Sequence, residues 1–110
     1  QYVLAADRNN DSLGQLYDPL HPSLLRLLAR VIRAGNRAGK QVTLCGEIGG
    51  DPKFASLLVA LGLTDFSMHP GRILNMRDAL ARCNQAALRE LAPRLLKANS
   101  REEVAELLAV

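Results

Sequence analysis

At 110 residues the chain is the size of one small domain, long enough to bury a single core but not two. With 48% hydrophobic and 23% charged residues and no low-complexity run, its composition excludes a disordered or collagen-like chain. The net charge of +3 and pI near 9.2 are a small basic surplus, which fits anion handling at most. Two Phe, two Tyr and no Trp leave few rings to stack on bases, so nucleic acid is not expected as a partner. The apolar segments are also far shorter than the roughly 20 residues that span a bilayer. The segment Gln1 to Arg8 has neither the basic start nor the apolar stretch of a secretory signal. Cys45 and Cys83 lack the spacing of a metal knuckle and read as two free thiols. A cytoplasmic protein without a membrane partner is the expectation, and a start at Gln1 without Met suggests a piece of a longer one.

In chain order, Tyr2 to Ala6 is a short apolar run that reads as the end of a buried strand, followed by the polar loop Asp7 to Asp11. A long helix is expected from about His21 to Ala38. Leu24, Leu25, Leu28, Val31 and Ile32 form its buried stripe, with Arg26, Arg30, Arg33 and Arg37 on the solvent side. Gly39 suits the left-handed end of that helix. Gln41 to Cys45 has strand character and stops at Gly46 to Gly50, leaving Cys45 at the C-terminal edge.

Asp51 and Pro52 start a second helix, with Phe54, Leu57, Leu58 and Leu61 buried and Gly62 closing it. A further strand is expected at Asp65 to Met68. A third helix runs from about Arg72 to Cys83 with Ile73, Met76, Leu80 and Cys83 on one face. Asn84 caps a fourth through Lys97, kinked by Pro93. Ser100 to Glu103 is a capping box ahead of Val104, Leu107 and Leu108.

Strand, helix, strand, helix, strand, helices is the order of parallel α/β units. Three short strands make too small a sheet to cover both faces, so more sheet is expected upstream of Gln1. In parallel α/β barrels the reactive groups lie on the loops after the strand ends. Here those loops supply Arg8, then Cys45 to Gly50, then Met68 to Gly71.

An arginine at such a mouth offers a rigid fork for phosphate or carboxylate, and a thiol can exchange a proton near neutral pH. Taken alone, these residues favour plainer roles. A lone strand-end cysteine is more often a small buried hydrophobe than a catalyst. Arg8, between Asp7 and Asp11, could be a surface ion pair. His21 and His69, each before a proline, read as turn or cap residues. Glu47 could tune the thiol or pair with a lysine.

Several segments together resemble the phosphoenolpyruvate-utilising enzymes. Gln1-Tyr2-Val3-Leu4-Ala5-Ala6-Asp7-Arg8 is similar to the tail of one of their signatures. Tyr17-Asp18-Pro19 through Pro22, Leu44-Cys45-Gly46-Glu47 with Gly50-Asp51, and Phe66-Ser67-Met68 follow in the family order and spacing. The resemblance covers essentially the whole chain, loosening after about Asn84. Within that superfamily it is nearest to the phosphoenolpyruvate-protein phosphotransferases, enzyme I of the bacterial sugar phosphotransferase system. Pyruvate phosphate dikinase and phosphoenolpyruvate synthase share the Cys-Gly-Glu segment.

The resemblance implies an α/β fold, the C-terminal fragment of a (β/α)8 (TIM) barrel with about three short parallel strands, over residues 1–110. It implies a barrel that binds phosphoenolpyruvate with magnesium and passes the phosphoryl group to a histidine on a separate N-terminal domain, which hands it to a phosphocarrier protein. The enolate left behind is protonated to pyruvate. Carried over by motif, Cys45 is the catalytic acid for that protonation and Arg8 binds the substrate phosphate. The magnesium ligands and the phosphorylated histidine fall upstream, so no residue here is a metal ligand. The parent is expected to be a homodimer, and the fragment is not expected to turn over alone. The alternative is a structural or dimerisation module without binding of its own, or the equivalent piece of one of the two related enzymes.

Overall fold

The structure, a computed structural model, describes residues 1–108. Its longest element is helix α1, Pro22–Arg37. The His21 side chain caps it by accepting from the Ser23 amide through Nδ1 at 3.2 Å, and Pro22 takes the first helical position, where no amide donor is missed. Leu25, Ala29 and Ile32 are buried at successive spacings of four and three residues, which keeps them on one stripe of the helix. Val31 falls outside it: it is 50% exposed, and Ala29 takes the inward place assigned to it from the sequence. One residue of helix rotates a side chain by about 100°, enough to move Val31 off the edge of a narrow buried face.

After α1 the chain turns at Gly39, which has a φ of 63°, and enters β1, Thr43–Leu44. A short helix α2, Glu47–Gly50, and a 3-10 turn at Pro52–Phe54 lead into α3, Ala55–Ala60. The Asp51 carboxylate accepts from the Lys53 amide and Pro52 is the first residue of the turn, the start read from the sequence. Strand β2, Asp65–Phe66, follows, and lies parallel to β1 with Thr43 opposite Asp65 and Leu44 opposite Phe66. The Ser67 amide extends the pairing by donating to Leu44 O at 3.0 Å. A 3-10 turn at Pro70–Arg72, capped by His69 Nδ1, opens α4, Ile73–Ala81. Helices α5, Gln85–Lys97, and α6, Arg101–Leu108, complete the chain.

The fold is thus helix-rich α/β with two short parallel strands among the described residues, not three. Tyr2 to Ala6 is a pair of turns. Ala5 takes a φ of 51°, Ala6 donates back to Gln1 O at 3.1 Å, and Tyr2 is 97% exposed. A five-residue apolar run carries no period that separates a strand from a coil, and here no neighbouring strand supplies a ladder to hold it extended.

The core lies where α1, α3, α5 and α6 meet. Leu25, Leu57, Leu58, Leu95 and Val104 are fully buried, with Leu61 and Leu63 beside them. Two polar links fasten its far ends. Arg26 donates from Nε to Leu96 O at 3.1 Å and from Nη2 to Ala98 O at 2.7 Å, so a guanidinium satisfies carbonyls left open at the end of α5. Arg101 pairs with Asp18 at 2.9 Å and ties the start of α6 to the loop before α1.

Asn84 caps α5 through the amides of Ala86 and Ala87, and that helix continues through Pro93. Ser100 Oγ accepts from Glu103, whose carboxylate reaches back to the Asn99 amide, one residue earlier than the box predicts. Only Met76 of the four residues read as the buried face of the third helix is buried. Ile73 is 44% exposed, because α4 packs at the edge of the core rather than across it.

Two outcomes follow from this packing. Leu58→Ala, at a site with no exposure, is expected to lower stability by about 2–5 kcal/mol in denaturant unfolding, whereas Val31→Ala should change it by less than about 0.5 kcal/mol. The Asp65 carboxyl is held below its ordinary range by hydrogen bonds from the Thr64 hydroxyl and then the Gln41 amide, against a smaller opposing effect of burial. A lowered folded-state pKa contributes stability that is present above the unfolded value and is lost as the pH falls through the folded one. Acid unfolding should therefore show a contribution lost below about pH 4, and Asp65→Asn should remove it, read as a flatter dependence of the unfolding midpoint on pH.

Candidate functional site

Cys45 follows β1 directly, and its thiol is exposed. That departs from the plainer reading of a small buried hydrophobe. The cause is local. Gly46 takes a φ of 106° with ψ near −176°, a region open essentially to glycine alone. The chain bends there at once into α2, and the side chain before the bend is left at the strand end instead of continuing into the sheet.

The bend is held down by close approach. Gly49 and Gly50 are both buried. A Cβ placed on Gly49 would lie 2.8 Å from Leu44 O and 3.4 Å from Ser67 O, and one on Gly50 would lie 3.1 Å from Met68 Cβ. The loop after β1 therefore lies against the C-terminal ends of both strands, and the second and third of the three expected loops are brought together. Glu47, at the first position of α2, is exposed and makes no ion pair among the described residues, so the pairing with a lysine is not seen.

Arg8 stands in the first loop. It is exposed, and its backbone amide donates to Gln1 Oε1 at 3.0 Å. No ion pair joins it to Asp7 or Asp11 among the described residues, so the surface-pair reading is not met. Tyr17 anchors this loop by donating its hydroxyl to Ala6 O at 2.5 Å. Burial, and then the negative charge of Asp7, push the phenol's pKa up, while Arg8 opposes them. A raised pKa keeps the phenol a donor, and that contribution is lost as the pH rises through it.

Among the described residues no hydrogen bond or ion pair links the Arg8 loop to Cys45. The two expected site residues are each presented to solvent on their own loop, without a described contact between them. A cleft of about 840 Å³ lies elsewhere: Lys53, Arg82, Cys83, Arg94 and Glu106 help line it, and neither Arg8 nor Cys45 does.

Sequence reasoning noted Tyr17 and the glycine pair without giving them work. Tyr17 sits beside a proline-containing turn, which marks a loop but not what the ring reaches. Two adjacent glycines inside a predicted loop signal either flexibility or close approach, and only the backbone around them decides which.

Gly49→Val is expected to lower stability by about 1–3 kcal/mol and to shift the amide signals of Cys45 and Ser67. Gly14→Ala, where a Cβ meets nothing within 4 Å, should leave both signals in place.

Comparison with known proteins bears on the same segments. Residues 1–85 match the family described as PEP-utilising enzyme, PEP-binding domain. The phosphoenolpyruvate-protein phosphotransferase of Cupriavidus necator is 44% identical over 108 residues, covering 98% of this chain and 18% of that protein. The one from Listeria monocytogenes is 43% identical over 107 residues, covering 97% of this chain and 19% of its own length. A multiphosphoryl transfer protein of Escherichia coli is 39% identical over 108 residues, covering 98% and 13%. The chain spans under a fifth of the length of each of these relatives. On the match across both of its strands and the loops that follow them, the chain belongs to the phosphoenolpyruvate-utilising enzymes, within their PEP-binding domain.

Proposed function

We propose that this chain supplies Arg8 and Cys45 to the phosphoenolpyruvate site of a phosphotransferase, as the C-terminal portion of a (β/α)8 barrel domain. The observation that carries the reading is the exposed thiol of Cys45 immediately after a parallel strand, where such folds place their reactive groups. The names of the relatives favour a phosphotransferase over the related dikinase and synthase.

In this reading Arg8 receives the phosphoryl end of the substrate. Its planar fork can hold two phosphoryl oxygens at once, and a fixed guanidinium stabilises the charge that builds during transfer without having to reorganise. When the bridging P–O bond breaks, the phosphoryl group passes to a protein histidine and leaves the enolate of pyruvate. The thiol of Cys45 then gives its proton to the methylene carbon, forming the methyl group of pyruvate, and the thiolate regains a proton from water. Cys45 must be a thiol at that moment, and its exposed position supports fast exchange with solvent.

His21 and His69 each accept a backbone amide through Nδ1 and serve as caps, and the resemblance puts the phosphoryl acceptor on a separate histidine. That histidine belongs to another part of the protein, and the phosphocarrier partner and the homodimer of the parent belong with it. Magnesium comes with the resemblance alone. Among the described residues no three of His, Cys, Asp or Glu gather into a group that could hold a metal. No helix among them is long and apolar enough to cross a membrane.

Competition between substrate and a thiol reagent tests the reading. Iodoacetamide labelling of Cys45 and Cys83, followed by mass spectrometry, should slow at Cys45 alone when phosphoenolpyruvate is present. Arg8→Ala should abolish that protection. Equal rates with and without phosphoenolpyruvate, or protection at Cys83 instead, would remove Cys45 from the site.

A further inference from the structure

Arg8 sits in a loop whose own bonds do not fasten it to the rest of the fold. Asp7 Oδ1 accepts from the Asn9 amide at 2.9 Å, Asp7 O from the Asn10 amide at 3.1 Å, and Asn10 Oδ1 from the Ser12 amide at 3.1 Å. Each of these spans two or three residues, so together they shape the loop from within. The Arg8 amide reaches back to Gln1, which is itself exposed. Just before the loop, Ala5 takes a φ of 51°, a region that a residue with a Cβ rarely adopts and keeps only where its surroundings hold it there.

The Tyr17 hydroxyl is differently placed. It spans eleven positions to donate to Ala6 O at 2.5 Å, next to the strained Ala5 and two residues before Arg8. Ala6 is buried and the bond is partly so, where water competes less for either group. The charges of Asp7 and Arg8 both act on the phenol, so the ring stands close to the loop. The chain on the other side of the ring is firm. The Tyr17 amide donates to Gly14 O at 3.2 Å. The next residue, Asp18, accepts from the Leu20 amide at 3.0 Å and pairs with Arg101 at 2.9 Å, shortly before α1 begins.

We propose that Tyr17 is the positioning residue for Arg8: its hydroxyl, carried on the turn that leads into α1, fixes Ala6 O and with it the direction in which the Arg8 guanidinium meets a phosphoryl group. This role rests on the reading of Arg8 as the residue that binds the substrate phosphate. Tyr17 itself touches no substrate in this role. It orders in advance a loop whose ordering would otherwise be met at the moment of binding. A guanidinium fork is especially sensitive to such control, because two of its donors must face the same group at once.

Tyr17→Phe removes the hydroxyl and keeps the ring, so the amide signals of the core residues Leu58 and Leu95 should stay in place. Without ligand, exchange of the Arg8 amide with water, followed by NMR on the 110-residue chain, should become faster. Titration with phosphoenolpyruvate should then give a Kd about three to ten times that of the unaltered chain. Tyr2→Phe, the same change on a ring that is 97% exposed, should alter neither reading. Arg8→Lys keeps the charge without the fork, so Tyr17→Phe added to it should weaken binding less than it does alone. Unchanged exchange at Arg8, or equal affinity of Tyr17→Phe and the unaltered chain, would overturn the role of Tyr17 and leave Arg8 at the site. An equal loss in the Arg8→Lys background would overturn it too, since Tyr17 would then not act through Arg8. No saturable binding by the unaltered chain would instead remove Arg8 from the site, and the role of Tyr17 with it.

Discussion

The close approach of Gly49 and Gly50 to the ends of the two strands is the constraint on which the rest of the site depends. Because Gly49 has no Cβ, the loop can lie against Leu44 O and Ser67 O. Because Gly50 has none, Met68 can rest on it. Those contacts fix where α2 begins, and with it the bend at Gly46 that leaves the Cys45 thiol in solvent. A reactive group gains from being held by backbone packing rather than by its own contacts, since it then stays free to meet a substrate while its position is set.

The helices serve that constraint from behind. Two strands of two residues each cannot stand alone, and the pair is held by the leucine core of α1, α3 and α5, to which Leu44 and Phe66 add their partly buried side chains. The guanidinium of Arg26 on the end of α5 and the Arg101–Asp18 pair close the two ends of the helical layer. The division is plain: apolar helix faces supply stability, glycines supply shape, and the loops after the strands hold the residues proposed for the site.

What could be read from the sequence was whatever has a local cause. The caps at Asp51, Asn84 and Ser100, the proline start at Pro52, and the left-handed turn at Gly39 each follow from the chemistry of one or two residues, and each is found where it was expected. Misreadings came where the answer depends on distant neighbours. Tyr2 to Ala6 has the composition of a strand, but a strand is made by its partner. Val31 and Ile73 fit a helical period, but which arc of a helix is covered depends on what packs against it. The exposure of Cys45 follows from the backbone torsion of the next residue, which composition does not reveal. The family was legible because it rests on several motifs in one order. The roles of Arg8 and Cys45 come from that resemblance and not from any contact between them.

The central claim is that the loops carrying Arg8 and Cys45 receive phosphoenolpyruvate, and titration of the isotope-labelled chain with that ligand tests it most directly, with the backbone amides of Arg8, Cys45 and Gly46 followed by NMR. The account predicts shifts that saturate together at those three residues and leave Lys53, Arg82 and Arg94, along the cleft of about 840 Å³, in place. Saturable shifts confined to that cleft, or none at Arg8 and Cys45 at any ligand concentration, would contradict it.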